Sequence, residues 1–213
     1  MARRGLAPFD DDFRARWGDL LGGVDEAGRG PLAGPVVAAC VVLQRGTKIR
    51  GVRDSKVMLP QEREEVLERI LAKAVATGVG VGSVAEVDAF NIRMASLLAM
   101  RRAIEALGMT PQGFVVDGMD ALVLESAPCE AVIDGDAKSQ AIAAASILAK
   151  VRRDAMMDVE ALSHPLYGFQ NNKGYATPEH CEALRAHGPC EIHRKSFRPV
   201  RELLFVQEVF EGF

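Results

Sequence analysis

The apolar residues of this chain fall into short runs separated by amphipathic stretches and glycine-rich turns. Leu20 begins the first run, which ends on two carboxylates, and a long β-branched run at residues 36–43 follows it closely. Further runs lie at residues 79–84, 114–116 and 131–133. Runs of this length and composition predict five β-strands, with the first two paired as a hairpin and the second at the centre of a sheet.

Amphipathic segments between these runs predict helices. Pro60 suits the first position of a helix that carries an apolar stripe and stops at Gly78. Asn91 is expected to cap a second helix, which stops at Gly108. Two later helices are predicted to begin at caps formed by Asp136 and by Thr177-Pro178.

This order of strands and helices predicts an α/β fold: a mixed five-stranded sheet flanked by helices, with a C-terminal helical extension. With 213 residues, of which 48% are hydrophobic, the chain can bury one core as a single domain over residues 1–213. Residues 1–18 are weakly periodic and are predicted to be a flexible or loosely docked lead-in. The core is expected at residues 19–160, and the C-terminal helical and basic extension at residues 161–213.

The charge balance limits how the protein could contact nucleic acid. Its net charge of −3, from 26 basic and 29 acidic residues, provides no overall field that attracts a polyanion. Any such contact must therefore be local. We define the basic tail patch as the five cations that lie between residues 185 and 201, where Glu191 is the one acid: Arg185, Arg194, Lys195, Arg198 and Arg201.

Cysteine usage and hydropathy indicate the compartment. The four cysteines are scattered without a C-x-x-C pair, which is typical of reduced thiols. The N-terminus lacks the apolar segment of a signal peptide, and no apolar run approaches the length of a membrane span. We therefore expect a cytoplasmic protein that makes no membrane contact.

Carboxylates follow three of the predicted strands. Asp25 and Glu26 end the first strand, Asp117 ends the fourth, and Asp136 lies just beyond the fifth. Sites in α/β sheets collect at the carboxyl ends of strands, so these acids are expected to meet there. Carboxylates brought together repel one another unless divalent cations neutralise them. Two hard cations about 4 Å apart would activate a water and stabilise the leaving 3′ oxygen of a phosphodiester.

Two details of this acid cluster stay open from the residues alone. Neighbouring side chains of a strand point to opposite faces, so Asp25 and Glu26 cannot both be ligands from a regular strand. Glu26 must either lie where the strand turns or contribute its backbone carbonyl. Asp134 stands close enough to Asp136 to be mistaken for a ligand, and we interpret it as a turn residue.

The segment after the first strand combines Gly28, Arg29 and Gly30 and is followed by Pro31. Glycines permit backbone angles that other residues avoid, and proline restricts the exit of the chain. Acids followed by an N–H-rich, arginine-bearing turn place a cation site beside an anion site, which suits a phosphodiester held through metal. The alternative is an ordinary solvated turn.

The chain resembles the ribonuclease HII family, the type 2 ribonucleases H, over nearly its whole length from about Leu20 to Val200. The motifs occur in the order typical of the family. They lie at residues 24–36, 54–56, 116–118, 135–138, 144–151, 172–175 and 193–197.

This resemblance implies a ribonuclease H-like fold and an endonuclease that hydrolyses RNA in RNA–DNA hybrids. It also implies cleavage on the 5′ side of single ribonucleotides embedded in duplex DNA, leaving 3′-hydroxyl and 5′-phosphate ends, with Mg²⁺ or Mn²⁺ as cofactor. By the resemblance, the catalytic metal-binding residues are Asp25, Glu26, Asp117 and Asp136.

The resemblance also implies substrate-binding residues. The ribose-reading loop falls on Gly28, Arg29 and Gly30, and the tyrosine that senses the RNA–DNA junction falls on Tyr175. Phosphate contacts are expected from Lys56, Ser146, Lys150, Arg194 and Lys195, although Lys150 could instead form a salt bridge with Asp154 four residues on. The chain departs from the family pattern at residues 57–60, which puts one phosphate contact and a helix cap in doubt.

Other functions are weighed against this interpretation. A non-catalytic hybrid-binding module would be expected to have lost one of the four acids, and a phosphohydrolase of small phosphates would not explain Tyr175. Cys181, His187, Cys190 and His193 could suggest zinc, but such a site is disfavoured. Cys181 and His187 are six residues apart, off one helical face, and structural zinc sites favour paired short spacings. Residues 207–213 faintly resemble sliding-clamp-binding peptides, which suggests a weak clamp contact; the alternative is that this tail packs onto the domain.

Overall fold

The computed structural model describes residues 6–53 and 55–211, and only the backbone of residues 206–211. Asp54 and the last two residues therefore lie outside the described residues, as do the side chains of the clamp-like tail. The strands are β1 Leu20–Ala27, β2 Val36–Gln44, β3 Ala76–Gly82, β4 Gly113–Asp117 and β5 Cys129–Val132. The helices are α1 Leu6–Trp17, α2 Pro60–Lys73, α3 Val84–Phe90, α4 Ile92–Glu105, α5 Gln140–Ser163, α6 Phe169–Asn172, α7 Pro178–His187 and α8 Arg198–Glu211.

The five strands form one mixed sheet in the order β3-β2-β1-β4-β5. β2 pairs antiparallel with β1 and with β3, whereas β1, β4 and β5 run parallel. The predicted fold class and the predicted β1–β2 hairpin are confirmed. Because β1, β4 and β5 share one direction, their carboxyl ends lie at the same edge of the sheet, where α/β proteins place their sites.

Helices cover both faces of the sheet and bury its centre. The first eight residues of β2 are buried, as expected for a strand covered on both faces. One face packs against α4 and the other against α2 and the alanine-rich first half of α5. The backbones approach closely: a Cβ added at Gly80 would lie 2.1 Å from the carbonyl oxygen of Ala99 in α4. Small residues on the strands and helices therefore set the spacing of the layers.

The N-terminal segment is a packed helix. Phe13 of α1 is 7% exposed and belongs to an apolar cluster with Val115 and Ile142. The carboxylate of Asp10 accepts a hydrogen bond of 3.1 Å from the backbone N–H of Ala141, at the start of α5. The prediction of a flexible or loosely docked lead-in is therefore wrong for residues 6–17.

Several helix boundaries differ from those predicted. α2 ends at Lys73, so Gly78 lies inside β3 rather than at a helix end. α3 was not predicted, although Ser83 and Glu86 form a capping box at its start. The N-cap of α5 is Ser139, whose hydroxyl accepts from the N–H of Ile142, whereas Asp136 lies in a preceding 3-10 turn. The predicted caps at Asn91 and Thr177 are confirmed. Among the described residues, no helix has the length and apolarity needed to cross a membrane.

Candidate active site

Asp25 stands at the carboxyl end of β1, beside the end of β4. Val24 pairs with Val116 across the two parallel strands, so Asp25 and Asp117 each follow a paired residue. The Asp25 side chain is almost fully buried and accepts from the N–H of Glu26 at 2.7 Å and from Ser146 of α5. Burial, together with repulsion from Glu26 and Asp117, raises the pKa of Asp25 well above its usual range.

Glu26 is the penultimate residue of β1 and is still paired with Ala38 of β2. It therefore does not lie beyond the strand at a turn, and a contribution of its backbone carbonyl stays a prediction. Its side chain is 7% exposed, and one carboxylate oxygen accepts from the Arg29 guanidinium at 3.2 Å. The other oxygen, Oε2, is buried without a hydrogen-bond partner. Burial is the main cause of the raised pKa of Glu26, which Arg29 opposes.

The turn after β5 folds over Asp117. The Oδ1 atom of Asp117 accepts from the N–H of Gly135 at 2.7 Å, which places Asp136 beside it. Burial and the neighbouring charge of Asp136 raise the pKa of Asp117. Asp136 is 6% exposed and pairs with Lys56 at 3.2 Å. Asp134 is exposed and adopts left-handed backbone angles (φ 53°), as expected for the predicted turn residue.

The four acids are chemically suited to a hard divalent cation. As the side chains stand, the described residues contain no group of three His, Cys, Asp or Glu side chains that could hold an ion together. The chemistry nevertheless fits a hard divalent cation, which prefers carboxylate oxygens. Glu26 carries a buried oxygen without a partner, and the charges of Asp25, Glu26 and Asp117 disfavour one another. A divalent cation would relieve both conditions.

The glycine loop has one buried and one open glycine. Gly28 has a positive φ of 97°, and a Cβ there would lie 2.0 Å from Nε of Arg153. Gly30 is exposed, and apart from its chain neighbours the only described heavy atom within 4 Å of a Cβ built there is Cε1 of Tyr175, at 3.9 Å. Gly28 is therefore required by the fold, whereas Gly30 leaves an open surface that faces Tyr175.

Tyr175 lies beside this loop. Its ring is 42% exposed, so it is not the buried anchor that a purely structural role would require. The Lys150 ammonium and the Arg153 guanidinium lie 5.5 Å and 5.8 Å from the ring centroid. Beside Tyr175 and Lys150 opens a cavity of about 560 Å³ between α2, α5 and the segment of residues 170–175.

Three predicted phosphate contacts are engaged with protein partners. Lys150 forms a salt bridge of 2.7 Å with Asp154, the alternative weighed from the sequence. The hydroxyl of Ser146 is buried against Asp25 and lies 2.9 Å from that of Ser55. A direct phosphate contact by Ser146 is therefore wrong for this structure, because the residue is 4% exposed and supports Asp25. The Lys56 side chain is 75% exposed and reaches from the surface to Asp136.

Arg194 is the member of the basic tail patch that does not face solvent. It is fully buried, and its guanidinium donates to the backbone carbonyls of Gly28, Arg29, Pro31 and Gly34. The prediction that Arg194 contacts phosphate is wrong, because no part of its side chain reaches the surface. Lys195 is exposed, and its backbone N–H donates to Asp88.

A buried histidine pair behind Tyr175 was not predicted from the sequence. His180 Nδ1 lies 2.8 Å from the carbonyl oxygen of Tyr175, and His180 Nε2 lies 3.0 Å from Nε2 of His193. On its other side, Nδ1 of His193 accepts from the backbone N–H of Cys190 at 3.0 Å. The two histidines are thirteen residues apart in sequence and meet only through the fold, so no local signal indicates the pair.

Comparison with solved structures defines the class of the protein. The fold is similar to that of ribonuclease H2 from Pyrococcus horikoshii OT3 (TM-score 0.76, 26% identity), covering 91% of this chain and all of that one. The ribonuclease HII in a PCNA complex from Archaeoglobus fulgidus is similar at a TM-score of 0.71 and 28% identity, covering 86% of this chain and 96% of that one. Bst-RNase HIII in complex with Mn²⁺, at 18% identity, shares the fold with a TM-score of 0.66, covering 89% and 70% of the chains. The fold is thus the ribonuclease H-like fold.

Sequence comparison gives the family. The profile of the ribonuclease HII family matches residues 22–200. Ribonuclease HII 2 of Methylibium petroleiphilum is 52% identical over 92% of this chain and 91% of its own length. Ribonuclease HII of Bacillus licheniformis is 46% identical over 92% of this chain and 76% of its own length. The chain belongs to the ribonuclease HII family, and it is a ribonuclease H, an enzyme of a metal-dependent class that acts on RNA–DNA substrates.

Proposed function

We propose that this enzyme hydrolyses RNA in RNA–DNA hybrids and also cuts duplex DNA on the 5′ side of a single embedded ribonucleotide. The observation that supports this most is the position of Gly30. Its open surface faces the exposed ring of Tyr175, next to the loop arginine that pairs with Glu26. One nucleotide bound there would have its sugar against both the loop and the ring, which lie next to each other, and its phosphate beside the acids.

The reaction is proposed to be phosphodiester hydrolysis. Water attacks phosphorus, and the bond from phosphorus to the 3′ oxygen of the preceding nucleotide breaks. The products are a 3′-hydroxyl, which takes up a proton, and a 5′-phosphate on the ribonucleotide. Bound Mg²⁺ or Mn²⁺ would supply Lewis acidity that activates the water and stabilises the leaving oxygen. The residues that would hold the cations are Asp25, Glu26, Asp117 and Asp136.

Neighbouring side-chain and backbone groups orient these acids. Ser146 hydrogen-bonds Asp25, and the N–H of Gly135 holds one oxygen of Asp117. Arg29 and Lys56 each pair with one acid from an exposed position, so both cations stand where a phosphate would approach. Fixed partners of this kind reduce the reorganisation that binding would otherwise require.

Recognition of the ribonucleotide is proposed to depend on its 2′-hydroxyl, which can both donate and accept a hydrogen bond. Backbone groups of the loop at residues 28–30 can approach that hydroxyl because Gly30 has no Cβ. The Tyr175 ring would then lie against the deoxyribose beyond the junction, where a second 2′-hydroxyl would crowd it.

A sliding-clamp contact through residues 207–213 is a second, weaker proposal. The archaeal relative whose structure was solved in a PCNA complex supports it, as does the glutamine followed by spaced apolar and aromatic residues in this tail. Removal of residues 207–213 should then abolish retention on immobilised clamp while cleavage persists. Unchanged retention of the shortened protein on the clamp would contradict this proposal.

Replacing Asp117 and, as a control, Asp134 by asparagine tests the proposed catalytic set. Asp117→Asn keeps the shape and the acceptor for Gly135 but removes a charge from the acid cluster. We expect cleavage of a single-ribonucleotide duplex to fall by at least about 10³-fold, the scale set by loss of one preorganised catalytic group. The melting temperature without metal should not fall, because a repulsive charge is gone.

Asp134→Asn is the matched control for that experiment. Asp134 is exposed, and asparagine tolerates its left-handed backbone angles. Cleavage by this variant should stay within a few-fold of the unmodified enzyme. Near-normal cleavage by Asp117→Asn, or a collapse with Asp134→Asn, would mean that the proposed acids are wrong.

A further inference from the structure

Arg194 is a buried cation whose side-chain hydrogen bonds all go to backbone carbonyls. Within the described part of the chain, no carboxylate lies within the 4.0 Å ion-pair distance of its guanidinium. Its four bonds measure 2.6 Å to Gly28, 3.0 Å to Arg29, 2.8 Å to Pro31 and 2.9 Å to Gly34. A buried guanidinium is costly unless its donors are paired, so the carbonyls are held in place by that requirement.

The direction of these carbonyls determines the direction of the neighbouring N–H groups. In a trans peptide the C=O of one residue points opposite to the N–H of the next, and the described residues contain no cis peptide. With the carbonyls of Gly28 and Arg29 turned inward to Arg194, the N–H groups of Arg29 and Gly30 must turn outward. Both residues are exposed, and neither N–H has an acceptor among the described residues.

Two adjacent outward N–H groups form a concave donor site that suits an oxygen ligand. Tyr175 lies next to this part of the loop, because its Cε1 atom is 3.9 Å from a Cβ built on Gly30. We propose that Arg194 is a positioning residue that aims the Arg29 and Gly30 N–H groups at the 2′-hydroxyl, and so determines discrimination between a ribonucleotide and a deoxynucleotide. This inference rests on the proposed function.

Arg153 holds the other half of the same loop. It is also fully buried and donates to the carbonyls of Ala33, Pro35 and Lys173. Because Lys173 precedes Tyr175 by two residues, Arg153 ties the loop to the segment of the tyrosine. Arg194, by contrast, contacts the carbonyls next to the outward N–H groups. Its replacement should therefore alter recognition of the 2′-hydroxyl without separating the loop from the tyrosine.

The test compares Arg194→Lys with Lys195→Ala. Lysine keeps the charge but lacks the planar fork, so it cannot hold four carbonyls at once. Asp117→Asn is included in every protein to prevent cleavage. Affinity is measured by fluorescence anisotropy, over a range of salt, for an all-DNA duplex and for the same duplex with one internal ribonucleotide.

We expect Arg194→Lys to lower the affinity ratio of the ribonucleotide duplex to the DNA duplex by about tenfold, the scale of one hydrogen bond to a buried partner. Affinity for all-DNA duplex and its salt slope should not change. Lys195→Ala should weaken both duplexes alike and reduce the slope by about 0.9. An unchanged ratio with Arg194→Lys, or an equal weakening of both duplexes, would overturn the inference.

Hydrogen exchange of the Asp117→Asn protein provides a measurement that does not depend on the folding of an Arg194 variant. The Arg29 and Gly30 amides should exchange more slowly with the ribonucleotide duplex bound than with the DNA duplex bound. Equal exchange in the two complexes would overturn the inference. Equal binding of both duplexes by the Asp117→Asn protein would also overturn the inference, whereas failure of the unmodified enzyme with Mg²⁺ to cut the ribonucleotide duplex would show that the proposed function is wrong.

Discussion

Each acid of the candidate site has a protein partner that restrains it. Asp25 accepts from Ser146, and Asp117 accepts from the N–H of Gly135. Glu26 and Asp136 pair with exposed cations instead. Asp25 and Asp117 are therefore fixed by hydrogen bonds, and Glu26 and Asp136 by charges that a bound phosphate could attract away.

The sequence was sufficient to locate the acids, because each stands at or just beyond a predicted strand end. It was not sufficient for Arg194, whose neighbours Lys195 and Arg198 make the segment look like an exposed basic patch. Whether an arginine faces solvent or four carbonyls depends on the loop at residues 28–34, which is about 160 positions away in the chain. Ser146 was misassigned for the same reason, since its burial against Asp25 arises from tertiary packing.

Substitution of Tyr175 tests the proposed junction sensing at the scale of one side chain. Its ring is 42% exposed toward the open surface of Gly30. Tyr175→Ala should reduce cleavage at a single embedded ribonucleotide much more than cleavage of a long RNA–DNA hybrid, because the RNA strand of the hybrid has no deoxyribose next to the cut for the ring to contact. Tyr175→Phe keeps the ring and should lie between. Initial rates on the two substrates measure this, and equal losses on both would leave Tyr175 as a general binding or folding residue.

At the scale of elements, α7 supports the tyrosine segment through the histidine pair. A carbonyl can only accept, so Nδ1 of His180 must donate to the carbonyl of Tyr175, and Nε2 of His180 must then accept from Nε2 of His193. Nδ1 of His193 accepts in turn from Cys190. Both histidines must be neutral for this chain of bonds to exist.

Protonation of His193 should therefore destabilise the fold. Burial and the neighbouring His180 lower the pKa of His193 from 6.5 to about 4. Because the folded pKa lies below the unfolded one, the stabilisation is present above pH 6.5 and is lost as the pH falls toward 4. His193→Asn should remove about 3 kcal/mol of this pH-dependent stability. Urea unfolding of the unmodified protein and of the variant at pH 7.5 and pH 4.5 measures this difference. Unfolding free energies that change in parallel with pH in the two proteins would contradict the prediction.

Asp10 gives the opposite dependence at the junction of α1 and α5. Burial raises the pKa of Asp10 from 3.8 to about 6, against the hydrogen bonds from Ser139 and Ala141 that favour the charged form. A carboxyl whose folded pKa is raised contributes stability below pH 3.8 that is lost as the pH rises through 6. Asp10→Asn keeps an acceptor for Ala141, so between pH 4 and pH 7 it should gain about 2 kcal/mol relative to the unmodified protein. Unfolding free energies that change in parallel would show that folding does not raise the pKa of Asp10 and would contradict this prediction.

The misplaced elements have identifiable causes. α1 is weakly amphipathic. Two tertiary contacts hold it in place: its Asp10 accepts a hydrogen bond from the start of α5, and its Phe13 is buried in the core. Neither contact can be inferred from the local sequence. The β3 boundary was misjudged because glycines usually end helices, whereas Gly78 and Gly80 here admit the backbone of α4. α3 could have been predicted from its capping residues Ser83 and Glu86.

At the scale of the whole molecule, the mixed sheet brings the carboxyl ends of β1, β4 and β5 to one edge, and helices close both faces behind it. The net charge of −3 offers no general attraction for DNA, so binding must come from few local cations near that edge. Selectivity in such a protein depends on the shape of the cleft and on hydrogen bonds more than on charge.

Cleavage of a DNA duplex with one internal ribonucleotide tests the central claim most directly. Product ends are mapped with Mg²⁺ and with EDTA, alongside the all-DNA duplex and a small aryl phosphate. The account predicts one cut on the 5′ side of the ribonucleotide with 3′-hydroxyl and 5′-phosphate ends, abolished by EDTA, and no reaction with either control. Cleavage of the all-DNA duplex, cleavage that persists in EDTA, or binding of the ribonucleotide duplex without any cut would contradict it.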